Sequence, residues 1–202
     1  MRIKICGITD ARSAAAVVAA GVDAVGFVFA DSPRRVSPGE AVRIAADLPA
    51  DIERVAVFRL PSVDDVHRVL DEFSEVTVQA EPDADLIGAF ADRMLPVLHD
   101  GADLERDVAE VPSNLPLLLE AAGRGGRGKQ PDWSRASRLA NRRQLMLAGG
   151  LRANNVCEAI RIVRPWGVDV SSGVETSPGV KSPELIAEFV RAVRVGETEE
   201  TT

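Results

Sequence analysis

The chain has 202 residues, 46% hydrophobic and 27% charged, which is enough apolar content for one sizeable core and, by default, one domain. Its 31 acidic residues outnumber the 24 basic ones, and a formal charge of −7 has the wrong sign for gripping a phosphate backbone, which argues against a nucleic-acid partner. No apolar run approaches the roughly 18 to 20 residues that span a bilayer, and Met1 leads into a strand-like segment, so a soluble, cytoplasmic protein without a membrane partner is expected.

In chain order, short apolar or β-branched runs alternate with longer segments of helical period, the pattern of consecutive βαβ units on a parallel sheet. The predicted strands are Arg2 to Cys6, Ala24 to Phe29, Arg54 to Phe58, Val76 to Gln79, Leu95 to Leu98, Leu115 to Leu119, Gln144 to Leu147 and Gly167 to Val170. Amphipathic stretches such as Asp10 to Ala20 and Asn154 to Val163 lie between them. Ser37-Pro38-Gly39-Glu40 combines an N-cap serine, a first-turn proline and a capping-box glutamate; Ser62 with Asp65 and Ser182-Pro183-Glu184 read similarly. Eight units at roughly 25 residues each fall at the short end for a (β/α)8 TIM barrel, typically about 250 residues, so helices and loops must be trimmed. The expected division is a single α/β barrel domain over 1–195 and a disordered acidic tail over 196–202, where no apolar anchor remains.

An open doubly wound sheet would usually carry a Gly-x-Gly-x-x-Gly turn after its first strand, and none is present. The glycines cluster late instead: Gly125-Gly126-Arg127-Gly128, Gly149-Gly150 and Ser171-Ser172-Gly173. Loops after the seventh and eighth barrel strands are common phosphate sites, because bare backbone amides can approach an anion there. Taken singly, each cluster reads equally well as a tight turn.

Cys6 and Cys157, with His67 and His99 distant in sequence, form neither zinc spacing nor a disulfide framework. Cys6 ends the first strand in Lys4-Ile5-Cys6-Gly7, at the carboxyl rim where barrel active sites form. A small buried hydrophobe is its plainer reading. Lys4 shares the face of Cys6 by period-two alternation, and a buried ammonium needs a partner; Asp169, across the closure in the eighth strand, is the candidate, the alternative being a lysine that snorkels to one end. Lysine is itself conspicuous, since every basic residue except Lys4, Lys129 and Lys181 is arginine. Glu120 ends the sixth strand, also at the rim, so a thiol and a carboxyl face each other as a candidate base and acid. Arg34, after the second strand, offers a planar fork to a substrate carboxylate or is simply a solvated loop arginine.

Together these residues resemble a known family. Lys4-Ile5-Cys6-Gly7-Ile8-Thr9, Ser32-Pro33-Arg34, Gly125-Gly126-Arg127-Gly128-Lys129 with Asp132-Trp133-Ser134, Leu147-Ala148-Gly149-Gly150-Leu151 with Asn155-Val156, and Val168-Asp169-Val170-Ser171-Ser172-Gly173-Val174-Glu175 with Pro178-Gly179-Val180-Lys181 look like the ordered motifs of phosphoribosylanthranilate isomerases, tryptophan-pathway enzymes. The resemblance implies a (β/α)8 barrel that uses no metal or organic cofactor. It implies an Amadori rearrangement of N-(5-phosphoribosyl)anthranilate to 1-(2-carboxyphenylamino)-1-deoxyribulose 5-phosphate, in a monomer or homodimer. It makes Cys6 the general base at C2, Gly149-Gly150 and Ser172-Gly173 the phosphate cradle, and Arg34 the anchor of the anthranilate carboxylate. Gly126 and Asp169 complete the expected substrate-binding set.

The chain departs from the family in places. Glu120 stands where the family has an aspartate acid, and the loop from Glu120 to Gly125 is short, a pair of changes expected to compensate. Arg127 replaces a small hydroxyl residue, Pro131 an aromatic, and Gln79-Ala80-Glu81-Pro82 stands where the family has Gln-Leu-His-Gly. The competing readings are another phosphosugar-binding barrel enzyme, or a non-catalytic relative that keeps phosphate binding. Indole-glycerol-phosphate synthase would need catalytic lysines at strand ends, and a histidine-pathway isomerase an aspartate pair on strands one and five; neither is present.

Overall fold

Eight runs of aliphatic and β-branched residues form eight parallel strands: β1 (Arg2–Cys6), β2 (Ala24–Val28), β3 (Glu53–Val57), β4 (Thr77–Ala80), β5 (Met94–His99), β6 (Leu117–Glu120), β7 (Leu145–Leu147) and β8 (Gly167–Val170). This computed structural model describes residues 1–123 and 129–200. The strands pair in chain order, and β1 pairs with both β2 and β8, so the sheet closes into the expected barrel. Its helices are α1 (Ala11–Ala20), α2 (Pro38–Ala45), α3 (Val63–Leu70), α4 (Ala84–Phe90), α5 (Leu104–Glu110), α6 (Trp133–Ala140), α7 (Val156–Val163) and α8 (Pro183–Glu200). The first seven span 7 to 10 residues, which is how eight units fit the chain.

Local sequence sets most boundaries. Ser37 and Ser62 cap α2 and α3 as full capping boxes with Glu40 and Asp65, and Ser182 accepts from the Leu185 N–H at the start of α8. The strands match the expected runs to within one or two residues. The sixth begins at Leu117 rather than Leu115 because Pro116 has no N–H for the ladder, whereas Leu117 donates to Gln144 O at 2.8 Å. The main core lies between sheet and helices; a smaller cluster of Leu95, Val97, Leu118, Met146 and Ala148, on alternating positions, forms a second. Among the described residues no helix is long and apolar enough to cross a membrane.

Two features depart from the sequence reading. A short antiparallel pair, β9 (Glu175–Ser177) and β10 (Val180–Lys181), stands between β8 and α8. The tail expected from residue 196 is instead the end of α8, which continues through Gly196 to Glu200. There the helix packs beside Ile160 and Cys157 of α7, and the Glu197 carboxylate holds both the Met1 ammonium and Arg194. An ion-paired acidic residue at the chain ends supplies the anchor that apolar side chains do not. Residues 201 and 202 lie outside the described residues.

Candidate active site

The site grows from the alternation of side chains on β1. Lys4 and Cys6 share the inner face, and the Lys4 register partner on β8 is Asp169. Lys4 is 0% exposed, and its Nζ lies 2.8 Å from Asp169 Oδ1, so the snorkelling alternative does not apply. Burial disfavours the Lys4 ammonium, but Asp169 and then Cys6 outweigh it and hold its pKa above the ordinary value. Room for this pair comes from β2: a Cβ at Gly26 would sit 3.0 Å from Cys6 Sγ and 3.2 Å from Lys4 Nζ.

Above the pair opens a cleft lined by Cys6, Arg34, Glu120, Asp169, Ser171 and, unforeseen, Gln79, Glu81 and His99. The expected base and acid therefore share one cavity. Burial pushes the Cys6 thiol above its ordinary range, while Lys4 and Lys181 pull it back and Asp169 and Glu120 add to the rise. Burial also raises Glu120, followed by the charge of Asp169; His99 and Lys4 oppose this and Glu81 adds to it. A carboxyl held above its usual range keeps a proton to give, which suits an acid.

Arg34 is not a solvated loop arginine. Its Nε and Nη2 grip Glu175 of β9 at 2.7 Å each, a bidentate contact. Lys181 of β10 binds the same carboxylate at 2.7 Å and also donates to Ser171 O. Burial lowers the Lys181 pKa against Glu175, whereas Arg34 and Lys181 together carry Glu175 below the ordinary carboxylate range in spite of its burial. The bidentate contact uses one edge of the guanidinium, leaving the edge that carries Nη1 as the one able to receive a ligand carboxylate. Glu175 and Lys181 stand in the resembling motifs, but no local pattern ties them to Arg34; the hairpin brings them together to brace it.

Of the glycine clusters, Gly125–Gly128, and with it Gly126, lies outside the described residues. Gly149 and Gly150 follow β7, and Ser172 and Gly173 lie in a 3-10 turn after β8. The two loops touch: a Cβ at Gly173 would fall 2.0 Å from Leu151 O, so no other residue permits this approach. Asn155 ties down the β7 loop, its Nδ2 donating to Gly150 O and its Oδ1 accepting from the Arg152 N–H. Of the retained lysines, Lys4 and Lys181 are buried against carboxylates, and Lys129 is exposed.

His99 and Glu81 were missed as a pair. His99 is the last residue of β5, one beyond the predicted strand, and its Nε2 lies 3.4 Å from Glu81 Oε1. The signal was available, since a strand-terminal histidine belongs to the rim by the reasoning that selected Cys6 and Glu120. Although β4 lacks the expected histidine, the neighbouring strand places one in the same cleft.

Residues 3–192 match the family model described as N-(5′phosphoribosyl)anthranilate (PRA) isomerase. The N-(5′-phosphoribosyl)anthranilate isomerase of Hahella chejuensis is 42% identical over 201 residues, covering 96% of this chain and 94% of the relative. The crystal structure of phosphoribosyl anthranilate isomerase from Thermotoga maritima superposes with a TM-score of 0.83 at 37% identity, covering 96% of this chain and 99% of that one. A phosphoribosyl anthranilate isomerase in complex with reduced 1-(o-carboxyphenylamino)-1-deoxyribulose 5-phosphate gives 0.81 at 37% identity, with coverage of 96% and 99%. A closed barrel, a thiol and a carboxyl in one cleft, paired glycine loops and these matches agree, and the chain belongs to the N-(5′-phosphoribosyl)anthranilate isomerase family.

Proposed function

We propose that this enzyme catalyses the Amadori rearrangement of N-(5′-phosphoribosyl)anthranilate to 1-(2-carboxyphenylamino)-1-deoxyribulose 5-phosphate in tryptophan biosynthesis, with Cys6 as base and Glu120 as acid. The observation that carries this reading is the meeting of Cys6 and Glu120 in one cleft, both with raised proton affinity. Glu120 gives its proton to the furanose ring oxygen as the C1–O bond breaks, leaving a Schiff base at C1. The Cys6 thiolate removes the proton at C2, and the C2 electrons neutralise the nitrogen to give an enolamine. Tautomerisation of that enolamine, by loss of the O2 proton and gain of one at C1, gives the ketone. Each positioned proton transfer is worth roughly 10² to 10⁴ in rate.

The remaining contacts bind. Gly149, Gly150, Ser172 and Gly173 present backbone amides to the phosphate, with Gly126 a further substrate-binding residue; Arg34 meets the anthranilate carboxylate with its Nη1 edge, and Asp169 faces the sugar hydroxyls. The partner is this phosphorylated small molecule, not nucleic acid or a membrane; the protein acts in the cytoplasm as a monomer or homodimer, as a barrel over 1–195 with α8 continuing beyond it. A turnover assay with freshly generated phosphoribosylanthranilate tests the reading. Turnover that Cys6→Ser abolishes supports it, whereas phosphate-ligand binding without turnover would identify a non-catalytic relative.

A further inference from the structure

His99 and Glu120 are register partners at the ends of β5 and β6, so their Cα atoms are about 4.8 Å apart and their side chains leave the sheet on the same face. On its far side His99 Nε2 meets Glu81 Oε1 at 3.4 Å, both side chains 32% exposed. The other ring nitrogen, Nδ1, is buried with no hydrogen-bond partner, and such an atom is costly unless a contact in the working enzyme completes it. The three side chains thus stand in a row across adjacent strand ends, carboxylate, imidazole, carboxyl, on the wall of the cleft that holds Cys6.

We propose that His99, braced by Glu81, is a positioning residue for the acid Glu120, meeting its carboxyl through Nδ1. The proposal rests on the assignment of Glu120 as acid. Glu120 carries one more freely rotating bond than an aspartate, and aiming its proton at one ring oxygen requires that freedom to be restrained. Glu81 lies at the Nε2 side of the ring, and Glu120, the register partner on β6, is the neighbouring carboxyl that the unpartnered Nδ1 can serve. The titratable groups acting on Glu120 are Asp169, His99, Lys4 and Glu81, which lie on or just beyond four different strands, β8, β5, β1 and β4. His99 acts to lower the Glu120 pKa and Glu81 to raise it, so replacing one or the other moves the Glu120 titration in opposite directions.

Steady-state kinetics of His99→Ala, His99→Asn and Glu81→Gln, each with a pH profile of kcat/KM, test this. His99→Ala should lower kcat about tenfold or more with KM changed by less than about threefold, a transition-state loss rather than a binding loss. His99→Asn, whose amide nitrogen can occupy the Nδ1 position, should recover most of it. The pH at which loss of the Glu120 proton limits the rate should move up in His99→Ala and down in Glu81→Gln. Unchanged kcat in His99→Ala, or a loss that Asn does not rescue with the Glu120-dependent limb unmoved, overturns the proposal. Should His99→Ala fail to fold, the opposite response of Glu81→Gln together with the activity of His99→Asn decides. Glu120→Gln separates the two levels of the argument: if it stays active the acid assignment itself fails, and if it is inactive while His99→Ala is normal, only the role of His99 fails.

Discussion

Lys4 and Asp169 face each other across the seam at which the first and last barrel strands meet, ammonium to carboxylate at 2.8 Å, with exposures of 0% and 6%. The contact joins residues 165 positions apart, and it lies directly beneath the thiol of Cys6. In a chain whose other basic residues, Lys129 and Lys181 aside, are arginine, a compact ammonium stands at this fully buried position, where a wider planar guanidinium would need more room.

Breaking one side of such a pair leaves an uncompensated buried charge, typically at a cost of about 3 to 5 kcal/mol. Lys4→Met and Asp169→Asn should each lower the denaturant midpoint strongly, and the double variant should lose less than the sum. A double-mutant cycle of denaturant unfolding measures the coupling, and additive losses would show that the two charges do not support each other.

Cys6→Ser replaces the thiol with a hydroxyl of nearly the same volume that is too weakly acidic to act as a base near neutrality. Turnover should fall by about 10² or more while the melting curve is retained. The Cys6 thiol should titrate above its usual range, because burial outweighs Lys4 and Lys181. Ultraviolet absorbance of the thiolate in a Cys157→Ala background reads this directly. Cys157 lies on α7, away from the cleft, and its alanine variant should keep wild-type activity.

Glu120→Gln removes the donated proton while keeping the shape, so activity should fall by about 10² to 10⁴. Glu120→Asp shortens the acid on a backbone built around glutamate, and an intermediate loss is expected. Glu120 acts as an acid only while protonated, so its contribution is lost as pH rises through its raised pKa, and the pH profile of kcat/KM for the residual activity of Glu120→Gln should lack that loss. Wild-type rates in Glu120→Gln would move the acid role to another group.

Glu175→Gln tests the brace on Arg34. With the charge gone, the guanidinium loses its clamp, so KM should rise about tenfold, equivalent to roughly 1.4 kcal/mol, with kcat changing less. The folded pKa of Glu175 lies below its unfolded value. Its stabilising contribution is therefore full above the ordinary glutamate range and is lost as pH falls through the lowered value. Glu175→Gln should be less stable at neutral pH and show a shallower loss of stability toward acid, read by unfolding across pH.

Sequence alone determined the elements, their order and much of the site, because these follow from local rules. Short apolar and β-branched runs marked the eight strands, Ser37 and Ser62 marked helix starts through their own capping boxes, and chain position put Cys6 and Glu120 at strand ends. Lys4 and Asp169 were legible as a pair because barrel closure makes the first and last strands neighbours whatever their loops do. Other relationships depended on distances that no local pattern encodes. Arg34 meets Glu175 only because the unforeseen β9–β10 hairpin folds back over the rim, and α8 runs on past Gly196 because Glu197 reaches the amino terminus, 196 positions away. The row from Glu81 through His99 to Glu120 likewise exists only once β4, β5 and β6 lie side by side. Charge pairing between distant segments carries no period in the sequence, and the tertiary structure alone decides which pairs form.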